Sequence, residues 1–314
     1  MARPRIATLT MNPALDLSTA ADRVLPEHKL RCEEPRYHPG GGGINVARAV
    51  VRLGGDAVAV YPAGGPPGDL IDLLMEQEQV PRHVVGVPGW TRESITVREQ
   101  STGVHFRFVL PGPPLTAAAQ AECLAALASL DPGPEFVVVS GSLPPGTAED
   151  LLERVAAGCG RSGARLVVDM SGAPLRRVRG ADLMKASLSE LSGLVGRPLE
   201  TPDARLAAAR QVVEQGRAEV LVLSLGAEGA LLVTAQTVRR FTAPSVPVCS
   251  AVGAGDAMLA GVLVGLTEGR GLAAAVGFGV AAGSASLLHP GTTLCTREDT
   301  DAMAREVGDG VPVG

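Results

Sequence analysis

Short β-rich apolar runs alternate with stretches of helical periodicity along most of the chain. Ile6 to Met11, Ala57 to Tyr61, Phe136 to Ser140, Arg165 to Asp169 and Val220 to Ser224 have the residue types and lengths of strands. Between them, Ile44 to Leu53 has the pattern of a helix, and Leu124, Leu127 and Ala128 recur at helical spacing, as do Leu151, Leu152 and Val155. This alternation predicts an α/β fold, a mostly parallel sheet with helices on both faces. Two stretches break the pattern. Leu15 to Arg36 and Arg92 to Leu110 show no amphipathic helix, and the second alternates as Ile95, Val97, then Val104, Phe106, Phe108 around a Ser101-Thr102-Gly103 turn. They predict a small antiparallel β lid, from about 15–37 and 92–110, over the crevice at the strand ends. An edge extension of the main sheet is the alternative. No internal repeat is present, and one domain over 1–314 is expected.

Composition narrows the class. With 314 residues and 46% hydrophobic side chains, the chain buries a core large enough to need neither disulfides nor a structural metal. Lys+Arg 28 against Asp+Glu 33 gives a net charge of −5 without a long basic run. Unspecific binding to nucleic acid or an anionic membrane is therefore disfavoured, and one Trp, two Tyr and five Phe offer few stacking platforms. Cys32, Cys123, Cys159, Cys249 and Cys295 are odd in number, scattered and without a C-x-x-C pair, which speaks against a disulfide framework or a zinc site and for a reducing cytosol. No stretch approaches the roughly 20 apolar residues that span a bilayer, and the first residues lack an uninterrupted apolar leader core. A soluble cytoplasmic protein is expected, with Gly308 to Gly314 as a frayed tail.

Two glycine clusters carry candidate chemistry. Ser250-Ala251-Val252-Gly253-Ala254-Gly255-Asp256 runs directly into the apolar helical segment Ala257 to Leu266. Small residues there let N–H groups converge at a helix N-terminus, a place to hold an oxyanion. A carboxylate beside an anion hole suits a general base that accepts a hydroxyl proton during phosphoryl transfer; Asp256 as a helix cap is the competing reading. The second cluster, Pro39-Gly40-Gly41-Gly42-Gly43-Ile44-Asn45, also opens into a helix, and Asn45 has a donor and an acceptor for sugar hydroxyls. Its competing reading is a tight strand-to-helix turn. Neither G-x-G-x-x-G nor G-x-x-x-x-G-K-[ST] occurs there, so Rossmann and Walker nucleotide sites lose ground. Asp169 is another acidic residue at a strand end, open between a site role and a cap or turn former.

With Thr8-Leu9-Thr10, Leu15-Asp16, Lys29-Leu30-Arg31-Cys32, Tyr61 to Gly65, Trp90-Thr91-Arg92, Arg107-Phe108-Val109, Ser140 to Gly146, Ser224-Leu225-Gly226 and Gly279 to Ser284, these clusters form an ordered set over nearly the whole chain. The chain resembles the ribokinase-like sugar kinases, the PfkB family, and the resemblance implies the ribokinase-like fold. It implies that Asp256 takes the proton from the attacking hydroxyl and that the amides of Gly253, Ala254 and Gly255 steady the transferring phosphoryl group. Asp16, Gly41, Gly42 and Asn45 would hold sugar hydroxyls, with Ser140 close by; Arg92, Lys29 and Arg31, assisted by Arg107, would meet the sugar's own phosphate.

On the nucleotide side the resemblance points to Lys185, Ser187, Ser224, Gly226, Gly229 and Ser284 around ATP, with Glu190 organising Mg2+ through water. The pattern departs from the family at Ala186 and Ser187, where Pro and Asn are usual, and a cost in metal affinity is expected. Ser250, Val252, Ser286 and Gly291 fall where relatives bind a monovalent cation such as K+, although Thr293 replaces an Arg. The implied activity is ATP-dependent phosphorylation of the 1-hydroxyl of fructose 6-phosphate to give fructose 1,6-bisphosphate. Tagatose-6-phosphate kinase, 1-phosphofructokinase, and a weakened homologue that only binds sugar phosphate are the alternatives. A homodimer through the lid is expected, as in relatives, some of which excess ATP inhibits at a second site near the lid.

Overall fold

The computed structural model describes residues 5–313. In chain order the elements are β1 (Ile6–Leu9), β2 (Ala14–Ala21), β3 (Arg36–Gly40), α1 (Gly42–Arg52), β4 (Ala57–Ala63), α2 (Gly65–Gln77), β5 (Arg82–Gly86), β6 (Arg92–Glu99), β7 (His105–Val109), α3 (Ala117–Ala128), β8 (Phe136–Gly141), α4 (Leu151–Ser162), β9 (Arg165–Met170), β10 (Ala181–Ser187), α5 (Leu188–Val195), α6 (Pro202–Glu214), β11 (Ala218–Ser224), β12 (Ala230–Val233), β13 (Val238–Phe241), α7 (Ala254–Thr267), α8 (Leu272–Ser286), α9 (Arg297–Val307) and β14 (Val311–Pro312). Every strand and helix read from the sequence is present, with ends shifted by at most three residues.

Ten strands form the main sheet in the order β14-β13-β12-β11-β10-β9-β8-β1-β4-β5. From β11 to β5 the neighbours run parallel, and β12, β13 and β14 add antiparallel pairings at one edge. Successive side chains of a strand point to opposite faces, so each strand feeds two cores. In β8, Phe136 and Val138 pack with α1, α7 and α8, whereas Val137 and Val139 pack with α3 and α4. Fully covered strands need apolar residues at consecutive positions, which is why β8 reads as an unbroken apolar run.

The lid is a separate four-stranded sheet in the order β3-β2-β6-β7, and the edge-extension alternative is ruled out. Its outer pairs, β3 with β2 and β6 with β7, are antiparallel as expected; the two hairpin-like halves join through a parallel β2·β6 pairing. One expectation fails at the C-terminal end. Within Gly308 to Gly314 the described residues are tied down, because β14 pairs with Arg239 and Arg240 and Val313 N–H donates to Val238 O; Gly314 lies outside the described residues. No helix among the described residues is long and apolar enough to cross a membrane.

Candidate active site

The C-terminal ends of the parallel strands and the N-termini of α1 and α7 meet beneath the lid. Gly253 caps α7 in a left-handed conformation (φ 84°) that residues with a Cβ rarely adopt, and no side chain caps this helix. Asp256 is therefore no N-cap; it sits in the first turn and accepts a hydrogen bond from Asn45 Nδ2 at 2.9 Å. Among the described residues the N–H groups of Gly253 and Gly255 have no acceptor, and that of Ala254 has only a 3.5 Å bond to Ala251 O. Unengaged donors at the positive end of a 14-residue helix are suited to an anion.

Burial raises the Asp256 pKa, against the Lys185 ammonium and the Asn45 hydrogen bond; the carboxylates of Asp16 and Glu190 add to the rise. Lys185 lies under the first turn of α7, where a Cβ on Gly255 would come within 2.7 Å of its Nζ. Its ammonium donates to both carboxylate oxygens of Asp169 at 3.0 Å. Burial works against the Lys185 charge, but Asp169 and Asp256 outweigh it and raise its pKa, while burial pushes the Asp169 carboxyl up to about 7 against the pull of the Lys185 ammonium. Asp169 is thus neither a cap nor a turn former. It neutralises the cation beneath the anion hole.

A cavity of 220 Å³ opens between Asp256, Gly253 and Val252 on one side and Gly41, Gly42 and Asn45 on the other. The lid closes it with Asp16, Arg92, Ser94, Arg107 and Val109. Burial raises the Asp16 pKa, and Arg107, Arg92 and Arg48 oppose it. The α1 turn is sterically exact: a Cβ on Gly42 would overlap Ser140 Oγ and stand 2.8 Å from Gly141 N. Ser140 Oγ and Thr10 Oγ1 are buried there without a partner among the described residues, available to a ligand's hydroxyls.

The other candidates divide. Ser187 and Ser224 are register partners at the ends of β10 and β11, followed by the tight turn of Gly226 to Gly229. Ser284 lies on α8 next to Gly283, whose Cβ would approach Ala254 O within 3.1 Å. Ser187 also has a local duty: with Glu190 it forms a capping box at the start of α5, its N–H and Oγ bonded to Glu190 Oε2 at 2.7 and 2.8 Å. Ser250, Val252 and Gly291 line one cleft, and Cys249 N–H donates to Leu287 O just past Ser286. Lys29 and Arg31 lie on the exposed 22–35 loop and are among the lining residues of neither the cavity nor the adjoining cleft.

Several groups escaped the sequence reading. Asn12 ties lid to core, its O accepting from Arg92 and its Nδ2 donating to Ser142 Oγ at 2.9 Å. Arg48 and Glu78 lie beneath Asn45. The position of Arg48 three residues after Asn45 on one helix was the available signal for the first; Glu78 left none.

The pfkB family carbohydrate kinase model matches residues 9–299. An ATP-dependent 6-phosphofructokinase isozyme 2 of Mycobacterium tuberculosis is 49% identical over 313 residues, covering 99% of this chain and 92% of the relative. The protein of the same name from Escherichia coli is 41% identical over 302 residues, covering 95% and 97%. Among solved structures, phosphofructokinase-2 from E. coli in complex with fructose-6-phosphate superposes with a TM-score of 0.89 at 38% identity, covering 96% of this chain and 99% of that one. Two further structures of that enzyme, a complex with potassium and a tetrameric inhibited form, also give TM-scores of 0.89. Matched over nearly its whole length in sequence and in fold, the chain belongs to the pfkB family of carbohydrate kinases.

Proposed function

We propose that the chain is an ATP-dependent 6-phosphofructokinase that transfers a phosphoryl group to the 1-hydroxyl of fructose 6-phosphate. The observation that carries the reading is Asp256, half-buried on the cavity wall beside the unengaged amides of Gly253 and Gly255. Ionised, it accepts the hydroxyl proton as the oxygen attacks, while the amides of Gly253, Ala254 and Gly255 stabilise charge on the group in transfer. Asp16, Gly41, Gly42, Asn45 and Ser140 hold the sugar hydroxyls, and Arg92 and Arg107 the sugar phosphate, whose arrival draws the lid down and excludes water.

Lys185, Ser224, Gly226, Gly229 and Ser284 border the ATP side. Glu190 keeps Oε1 outside the capping box, which fits a water-mediated contact to Mg2+, and the metal when bound neutralises phosphate charge. Ser250, Val252, Ser286 and Gly291 fit a monovalent cation, with the orphaned Thr292 Oγ1 as a further oxygen beside Gly291. Exposed Tyr37, Val104 and Phe108 on the lid suit a homodimer, a smaller assembly than the tetrameric inhibited form described for the E. coli enzyme. A cytoplasmic location agrees with this reading. In an ADP-release assay with ATP, fructose 6-phosphate is expected to be turned over fastest. Faster turnover of tagatose 6-phosphate, fructose 1-phosphate or free ribose overturns the substrate, and no turnover of any of them overturns the activity.

A further inference from the structure

Two charged groups beneath the cavity take no part in the transfer described above. Arg48 follows Asn45 by three residues on α1, on the same helix face, and is 1% exposed. Its Nε donates to Glu78 Oε2 at 2.9 Å and its Nη2 to Glu78 Oε1 at 2.6 Å. Its Nη1 donates to Pro39 O at 2.9 Å and to Asn45 Oδ1 at 3.2 Å. Asn45 in turn offers Nδ2 to Asp256 Oδ2 at 2.9 Å.

A side-chain amide has a donor end and an acceptor end of nearly equal size, so shape does not decide which end meets a neighbour. A guanidinium only donates. Contact with Arg48 therefore claims the oxygen end of Asn45, and the NH2 is left for Asp256. Turned over, the amide would set donors against the guanidinium and an oxygen against the carboxylate, two repulsive contacts made by buried side chains. Glu78 balances the buried cation, and its two bonds fix the guanidinium plane. Asp256 also faces Lys185 of β10, Asp169 of β9, Asp16 of β2 and Glu190 of α5, charges that set its energy. The Asn45 bond sets its direction, engaging Oδ2 and leaving Oδ1 for an incoming hydroxyl.

We infer that Arg48, braced by Glu78, is a positioning residue for the reaction: it locks the Asn45 amide so that its donor end aims the Asp256 carboxylate. The inference rests on the reading of Asp256 as the base. Arg48→Met removes the donors at similar length; because it strands Glu78, Arg48→Met with Glu78→Gln is made beside it. Both are assayed with ATP and fructose 6-phosphate in the natural and in the Asn45→Ala background. The expected result is a kcat lower by about tenfold, with KM for ATP within about twofold, from misaiming alone. The same substitutions are expected to add nothing once Asn45 is Ala, since groups acting in series are not additive. A readout independent of turnover is the Asn45 side-chain NH2 signal in NMR, protected from exchange in the natural protein and fast-exchanging without Arg48. Additive effects, or unchanged protection, overturn the inference. If the natural protein phosphorylates no sugar phosphate, the functional reading fails, and the protection measurement still decides whether Arg48 orients Asn45.

Discussion

Asp256 must be ionised to accept a proton, and its surroundings divide over that charge. Burial raises its pKa above the ordinary 3.8, with Lys185 and Asn45 opposing. The base is lost as pH falls, so the acid limb of kcat is expected at a pH above 3.8, read from a rate profile with ATP and sugar phosphate saturating. Asp256→Asn keeps the shape and removes the base, and kcat is expected to drop by about 10²- to 10⁴-fold. A different single-residue effect belongs to Tyr61, whose OH on β4 is fully buried and unpartnered. Tyr61→Phe removes that desolvated hydroxyl and is expected to stabilise the fold by about 1 kcal/mol in urea unfolding.

At the scale of elements, two helix N-termini border the cavity. Gly253 and Gly41 take positive φ (84° and 109°) where α7 and α1 begin, and both turns line the cavity. α5 begins differently, with the Ser187–Glu190 capping box. Ser187→Ala is expected to cost about 1 kcal/mol of stability by thermal or urea unfolding, the usual worth of an N-cap. It also frees Glu190 Oε2 from the Ser187 hydroxyl, so half-saturation by Mg2+ is expected to move in the same variant while Ser187→Asn restores the cap. The legibility of these elements was uneven. Gly253 to Asp256 stood out because small residues before an apolar helix have few other uses. The duty of Asp169 was hidden, because strand-end carboxylates also form turns and only β10 beside β9 supplies the Lys185 partner.

At the scale of the molecule, the lid is a four-stranded sheet whose outward side chains include Tyr37 and Phe108, 41% and 51% exposed. An apolar face of this kind is expected to be covered by a second copy. Phe108→Glu places a charge there and is expected to shift the protein to monomer in light scattering. Because Arg107 next to it lines the cavity from the same strand, KM for sugar phosphate is expected to rise in parallel.

The order of strands and helices and the two glycine turns were determined by local pattern, because periodicity, turn chemistry and small-residue runs act between near neighbours in the chain; that the lid is a separate sheet and that Asp256 is no helix cap were decided by the tertiary structure. Tertiary structure alone decided which of the charges meet. Lys185 finds Asp169 through a parallel β9·β10 pairing, and Arg48 finds Glu78 across 30 residues. Backbone hydrogen bonds between strands are the same for every side chain, so sheet order, and with it the company each buried charge keeps, is settled only when the whole core packs.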